Sequence, residues 1–344
     1  MREPGFWHDP RSNISLTSRL LTPLAYLWGA AGRIKRYFAH PEQAAVPIIC
    51  IGNLTAGGTG KTPLALTLAE RLIAAGEQVH FLTRGYGGKE HGPLQVDPAR
   101  DTAAHVGDEP LLLAALAPTW VSIDRAEGAA AAARAGASLI IMDDGFQNPS
   151  LNKNFSLLVV DAQAGLGNGR LIPAGPMRER VADALKRSHA VMIVGRGHAA
   201  DGLAARASNT GLPVFRCILR AKGAPDLDNV PVLAYSGIGR PAKFHATLRE
   251  LHADLVGIEN FADHHMYSES DARKLLVRAQ DLKARLVTTE KDHVRLIGAA
   301  EGSARARLRA ASQTVPIRAL IDNLSGLEAL VRDAIALARH PARR

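Results

Sequence analysis

An α/β fold, P-loop NTPase-like with a mostly parallel sheet and helices on both faces, is expected from three observations. Short apolar runs of strand length alternate with amphipathic stretches of helical period. Most of these runs are continuously apolar, as in strands buried on both faces. A glycine-rich turn also separates the first run from the helical pattern after it. A second, smaller α/β domain and an N-terminal amphipathic helix complete the expected architecture.

The elements follow in chain order. Residues 14–38 are apolar and end in the basic residues Arg33, Lys35 and Arg36. Thr22 is expected to cap a helix with Pro23 at its first position, where a missing N–H costs nothing. Leu24, Leu27, Trp28, Ala31, Ile34 and Phe38 then recur at helical spacing. This build suits a helix lying in a membrane interface, and equally an amphipathic helix packed on the core. Strands are expected at 46–52, 79–83, 120–123, 139–143, 155–161, 190–194 and 214–219. Helices are expected at 62–75, 110–116, 125–135 and 178–187. The polar stretch 221–231, with Gly223, Pro225 and Asp226, reads as a domain boundary. Beyond it come strands at 232–236, 254–258 and 285–289 and helices at 241–251 and 268–283. A strand at 315–320 and a helix at 324–337 are expected to return to the first domain. The domains are therefore 1–39, a membrane-interface segment; 40–222, the core; 223–313, the smaller domain; and 314–344, the returning strand and helix.

Composition narrows the class. The 344 residues are 47% hydrophobic and 22% charged, which is globular and not disordered. The net charge of +9 favours anionic partners: nucleic acid, nucleotides or a negative membrane surface. Cys50 and Cys217 lie in apolar runs outside any CxxC pair and read as small core residues in a reducing compartment. No apolar run reaches the roughly 18–20 residues that span a bilayer. The first residues do not read as a signal peptide.

The chemistry is concentrated in Ile49-Cys50-Ile51-Gly52-Asn53-Leu54-Thr55-Ala56-Gly57-Gly58-Thr59-Gly60-Lys61-Thr62. A strand enters a glycine-rich turn, and Lys-Thr opens a helix. Such a loop curls backbone N–H groups around phosphates, and the helix N-terminus adds its partial positive charge. Residues Thr55, Ala56, Gly57, Gly58, Thr59, Gly60, Lys61 and Thr62 are the expected nucleotide-binding set. Lys61 would reach the β- and γ-phosphates, and the Thr62 hydroxyl would sit on Mg2+. Thr55 stands where the usual pattern has glycine. Downstream, the apolar run 139–142 ends in Asp143 and Asp144, carboxylates placed to hold the metal or merely to form a turn.

Among phosphate-loop proteins, partitioning and metal-insertion ATPases carry an extra lysine where Ala56 stands. Guanine readers use Asn-Lys-x-Asp, which Thr289-Glu290-Lys291-Asp292 does not match. ATP-linked phosphoryl transfer leads, with a nucleotide switch and a partner-loading ATPase as alternatives. A kinase needs a group to position or deprotonate the acceptor hydroxyl. Asp108, ahead of a helix, is one candidate and also reads as an N-cap. The paired His264 and His265, after Asp263, are others.

The segment Gly52 to Pro63 closely resembles the phosphate loop of the tetraacyldisaccharide 4'-kinase family, Thr55 included. Further matching segments follow in order, spanning about 46 to 295: Thr83-Arg84-Gly85-Tyr86-Gly87-Gly88, Val106-Gly107-Asp108-Glu109-Pro110, Asp143-Asp144-Gly145-Phe146-Gln147, the stretch 171–179, Ser236-Gly237-Ile238-Gly239-Arg240-Pro241, Phe261-Ala262-Asp263-His264 and Thr288-Thr289-Glu290-Lys291-Asp292. The resemblance implies that ATP phosphorylates the 4'-hydroxyl of an acylated glucosamine disaccharide 1-phosphate, giving lipid IVA. It also implies a peripheral enzyme on the cytoplasmic face of the inner membrane, with its N-terminal helix on lipid and no nucleic-acid partner. An Asp–His catalytic pair carries over to Asp108 and His264, with Lys61 also at the reacting phosphate. Asp143, Asp144 and Glu179 fall where the family handles Mg2+ and phosphates. With Lys61 and Asp144 in the first domain and His264 in the second, catalysis is expected to require closure over ATP and sugar, and with Asp108 assigned to the core its pairing with His264 is expected to report that closure.

Overall fold

The apolar runs become the interior strands of two parallel sheets. The structure, a computed structural model, describes residues 4–10 and 12–340. Residues 1–3, 11 and 341–344 of the expected terminal segments lie outside the described residues. The chain divides into two compact units.

The larger unit comprises residues 4–83, 124–219 and 319–340. Its strands run in the order Ile317–Ile321, Val214–Ala221, Ala190–Val194, Phe155–Asp161, Ile48–Asn53, Leu139–Asp143 and Val79–Thr83. The central strand is flanked in parallel on both sides, Ile49 facing Ile141 on one and Phe155 on the other. Ile48, Ile49, Cys50 and Ile51 are wholly buried, so this strand needs apolar residues on both of its faces. The helix Lys61–Ala74 covers it with Leu64, Leu66, Leu68 and Leu72. The carboxyl ends of such strands are where an open parallel sheet binds its ligands. Cys50 and Cys217 are core residues as expected, and burial pushes both thiols up to about 12.

The smaller unit comprises Arg84–Ile123 and Arg220–Arg318. Its parallel sheet runs Asp254–Asn260, Pro231–Ser236, Arg285–Thr289, Ser312–Val315. Alternation along the second of these strands sends Leu233 and Tyr235 into one apolar cluster and Val232 and Ala234 into the other. The 84–123 segment adds a short antiparallel pairing of Leu94–Gln95 with Thr119–Val121 and the helices Ala103–Val106 and Asp108–Ala114.

Several expectations are corrected. Residues 84–123, read as part of the 40–222 core, group with 220–318 instead, through packing that sequence order hides. The single strand at 315–320 is two strands. Ser312–Val315 joins the smaller sheet, and Ile317–Ile321 joins the larger one. Pro316 stands between them, where its missing N–H interrupts a ladder. The helix at 178–187 shortens to Val181–Leu185.

At the N-terminus, Leu21 and not Thr22 caps the helix Thr22–Tyr37, with Pro23 in its first turn. The short helix Leu16–Leu20 precedes it directly, so Thr22 Oγ1 donates backward to Ser18 O at 2.9 Å. The apolar stripe is not packed on the core. Leu24, Leu27, Trp28, Ile34 and Phe38 are 51–70% exposed, and only Ala25 of this helix is buried. No helix among the described residues is long and apolar enough to cross a membrane.

Candidate active site

Two clusters of functional side chains take shape, one in each unit. In the larger unit, the strand Ile48–Asn53 opens into the loop 54–60, and Gly60 caps the following helix with φ 84°. A side chain there would be strained by that φ and would press on Leu219 and Val194. Asn53 Nδ2 donates to Thr55 O at 2.6 Å and braces the turn from inside. Ala56 N donates to Pro176 O at 2.8 Å, tying the loop to the 171–178 segment.

Lys61 Nζ lies 3.6 Å from Asp144 Oδ1, which also accepts from Arg178 Nη1 at 2.9 Å. Burial pushes the Asp144 carboxyl up, but the Lys61 and Arg178 charges outweigh it and hold the pKa below the carboxylate's ordinary value. Asp144 adopts φ 54°, a left-handed backbone conformation rare outside glycine. Thr62 Oγ1 donates to Asp143 Oδ2 at 3.1 Å, with both residues buried. Lys61, Thr62, Asp143 and Asp144 therefore converge as the sequence suggests.

Glu179 is placed differently from a free carboxylate. Its two oxygens accept from Arg187 Nη2 at 2.9 and 2.8 Å, and Arg36 approaches at 3.5 Å. Gln147 donates both to Glu179 Oε1 and to Asn53 O, so Glu179 braces the end of the central strand. No group of three or more His, Cys, Asp or Glu side chains able to hold a metal occurs among the described residues.

This cradle suits a nucleotide with Mg2+. The Thr59 hydroxyl is buried within the loop with no hydrogen-bond partner in the protein, the condition of a donor awaiting a phosphate oxygen. Around Gly58 a Cβ would meet nothing within 4 Å. Mg2+ commonly takes only one or two protein carboxylates and completes its shell with phosphates and water. Asp143 and Asp144 supply that number.

In the smaller unit, Asp108 opens the helix Asp108–Ala114 at its first residue; Gly107 is the N-cap. His264 follows the strand Asp254–Asn260 with φ 58°. Its Nδ1 lies 3.1 Å from Asp108 Oδ2, and its backbone N–H donates to Gly237 O at 3.0 Å. The Tyr86 ring meets the imidazole edge-on at 5.6 Å between centroids. Burial raises the Asp108 pKa, but the hydrogen bond to His264 and the charges of Lys291, Arg295 and His264 more than reverse this, leaving it far below the ordinary carboxylate value. The bond to Asp108 raises the His264 pKa above 6.5, against the opposing effect of burial. His265 is committed elsewhere. Its Nε2 lies 3.0 Å from Asp271 Oδ2, the capping-box carboxylate of the helix Glu269–Asp281, and its ring stacks on Phe261 at 4.7 Å.

Asp108 and His264 meet inside one unit, so their pairing does not report domain closure as the sequence reading supposed. That reading also missed Arg295, whose guanidinium reaches Asp108 and Asp292. The one available signal was Arg295 following Lys291 by one helical turn, which no spacing rule ties to Asp108.

Comparison with known proteins identifies the family of the chain. A family model described as tetraacyldisaccharide-1-P 4'-kinase (LpxK) matches residues 17–336. A tetraacyldisaccharide 4'-kinase from Parvibaculum lavamentivorans is 63% identical over 340 residues, covering 98% of this chain and 99% of the relative. One from Rhodospirillum centenum is 51% identical, covering 89% and 91%. The crystal structure of LpxK from Aquifex aeolicus in complex with ATP shares the fold, with TM-score 0.74 and 24% identity over 93% of this chain and all of that one. The chain thus belongs to the tetraacyldisaccharide-1-phosphate 4'-kinase family, phosphotransferases that use ATP to phosphorylate the 4'-hydroxyl in lipid A biosynthesis.

Proposed function

We propose that the two clusters perform the two halves of this transfer: the loop at Lys61 binds and orients the phosphoryl donor, and the Asp108–His264 pair activates the acceptor hydroxyl. The observation that carries this is the direction of the Asp108–His264 contact. With Nδ1 on an ionised carboxylate, the imidazole carries its basic lone pair on Nε2, where Asp263 Oδ2 stands 3.9 Å away, beyond hydrogen-bond distance. Asp108, held far below the ordinary carboxylate pKa, is a poor proton acceptor and serves to fix the tautomer and the angle of the ring. His264, made more basic by its bond to Asp108, takes the 4'-hydroxyl proton.

On the donor side, residues 55–62 bind ATP: backbone N–H groups of the loop and the Lys61 ammonium hold the phosphates. Thr62, Asp143 and Asp144 hold Mg2+. Bound Mg2+ neutralises charge on the phosphate oxygens. Lys61 and Arg178 favour the ionised form of Asp144, and Glu179 contributes through Gln147 by fixing the loop's base rather than as a direct ligand.

The product is lipid IVA, made on the cytoplasmic face of the inner membrane by a peripheral enzyme. The uncovered stripe of Leu24, Leu27, Trp28, Ile34 and Phe38, with the exposed Arg33 and Lys35 beside it, supports this placement, while Arg36 turns to Glu179 and Asp183. The test is purified protein with radiolabelled ATP and the tetraacylated disaccharide 1-phosphate. Label should enter the lipid, and the product mass should rise by one phosphoryl group. Nucleotide binding without label in the lipid would favour a switch and end this reading.

A further inference from the structure

We infer that Arg295 is a positioning residue for the reaction: it locks both anchors of His264 at once and keeps Asp108 in its hydrogen-bond-accepting form. The inference rests on the role proposed above for Asp108 and His264 and adds a third member to their unit.

The geometry is specific. Arg295, on the turn after the helix Glu290–Val294, is 1% exposed and lies between two buried carboxylates, Asp108 and Asp292. Its Nε donates to Asp108 Oδ2 at 2.9 Å, and its Nη2 donates to the same oxygen. That oxygen also meets His264 Nδ1. Arg295 Nη1 donates to Asp292 Oδ1 and to Gly237 O, each at 2.7 Å. Gly237 O is the acceptor that holds the His264 backbone N–H. One guanidinium therefore touches the partner of the His264 ring and the partner of the His264 backbone. The Gly237 peptide is gripped from its other side as well, because its N–H donates to Asp292 Oδ1 at 2.8 Å. A Cβ at Gly237 would come within 2.9 Å of Ala262 O, so this close assembly requires glycine.

Arginine suits this role better than lysine. Its planar fork presents fixed donors to several acceptors at once and stays charged when buried. A guanidinium placed only for stability would satisfy the carboxylates without joining both attachments of a functional histidine.

The charge also bears on the proton. The charged and titratable groups facing His264 are Asp108, Asp263 and Arg295, with Tyr86 at the ring edge. Lys291 acts on Asp108 and is itself paired with Glu109, while Tyr267 donates to Asp292 behind Arg295. Within this set, Asp108 and Asp263 favour the imidazolium and Arg295 opposes it. Removing Arg295 should therefore make His264 harder to deprotonate, and the acid limb of kcat should move to higher pH.

The test compares Arg295→Met and Arg295→Lys with the parent enzyme, reading kcat, KM for ATP, the pH profile and the His264 imidazole titration by NMR. Arg295→Met should lower kcat roughly 10- to 100-fold, the scale on which loss of a functional histidine's outer partner is felt. KM for ATP should not change, and the acid limb and the imidazole titration should both move to higher pH. Arg295→Lys keeps a charge but loses the fork; it should recover the limb position more than the rate, and it carries the test if the Met variant does not fold. A folded Arg295→Met enzyme with the parent limb and titration would overturn the inference, whether its rate is normal or falls only with its melting temperature. If Asp108→Ala and His264→Ala are themselves near normal, the underlying assignment fails first, and the two failures are thereby distinguished.

Discussion

The phosphate loop and the Asp108–His264 cluster are built on opposite plans. The loop is local: between Asn53 and Thr62, one stretch of chain supplies the turn, the helix start, the lysine and the hydroxyl. The second cluster is assembled from residues 108, 237, 264, 292 and 295, brought together by folding. The contrast extends to charge. Lys61 Nζ stands 3.6 Å from Asp144 Oδ1, and in the role proposed for it the ammonium faces the nucleotide. Arg295 is buried, and its Nε, Nη1 and Nη2 donate to Asp108, Asp292 and Gly237 O. A local site tolerates rearrangement of the surrounding fold, whereas a dispersed one fails when any of its supports moves.

This comparison can be sharpened by substitutions on each side. The largest effect is expected at the local site. Lys61→Ala should lower kcat by on the order of 10²–10³-fold through loss of a positioned cation at the transferring phosphate. Its melting temperature should stay near the parent's, because Lys61 meets only a partly exposed Asp144. Near-normal turnover by the folded variant would remove the loop from the chemistry.

The next effect concerns metal. Asp144→Ala should raise the Mg2+ concentration needed for half-maximal rate and lower kcat, with Asp143→Ala similar or milder. A Mg2+ titration checks this; if neither variant shifts it, the acidic pair is only a turn.

The pH profile separates the two plans. In the proposed mechanism the deprotonated His264 is the active form, so kcat should fall on the acid side through the imidazole's pKa. Asp108 raises that pKa above 6.5, so Asp108→Asn should move the limb to lower pH. The Lys61 variant should keep the parent limb. A limb unmoved in Asp108→Asn would detach the carboxylate from the imidazole.

The smallest effect is at the membrane. Deleting residues 1–38 should weaken vesicle binding more than nucleotide binding, but it also removes Trp28, which donates to Arg178 O, and Ser18, which donates to Ala174 O. Paired Leu24→Ser and Leu27→Ser substitutions leave those bonds in place and should reduce flotation with anionic vesicles. The basic residues add about 1 kcal/mol each near the surface, an attraction that salt should weaken. Unchanged flotation would exclude this stripe from the lipid contact.

The same contrast explains what was legible in the sequence. The strands Leu139–Asp143, Phe155–Asp161 and Ala190–Val194 fall at their expected bounds because a strand buried on both faces writes itself as a continuous apolar run. Thr55 to Thr62 could be read because strand, turn and helix are adjacent in the chain. Asp108 and His264 could be read as separate candidates, but their pairing came only through resemblance, since a lone Asp before a helix also reads as a cap. Arg295 left no trace, because a buried arginine differs from a surface one only by its partners, and those lie far away in the chain. The grouping of 84–123 with 220–318 was hidden for the same reason. Of the two roles left open for the N-terminal helix, exposure of its apolar stripe speaks against packing on the core, which periodicity alone does not report.

The most direct measurement of the central claim is a double-mutant cycle in single-turnover phosphoryl transfer to the tetraacylated disaccharide. It compares the parent enzyme with Asp108→Ala, His264→Ala and the double variant at saturating ATP. If Asp108 acts through His264, each single variant loses about 10²–10⁴-fold in rate. The double variant is then little worse than the poorer single, because residues acting as one unit are not additive. His265→Ala, whose ring meets the Asp271 cap, Phe261 and Tyr267 and not Asp108, stays close to the parent. Fully additive losses, or a His265 variant more damaged than the His264 variant, would contradict the account.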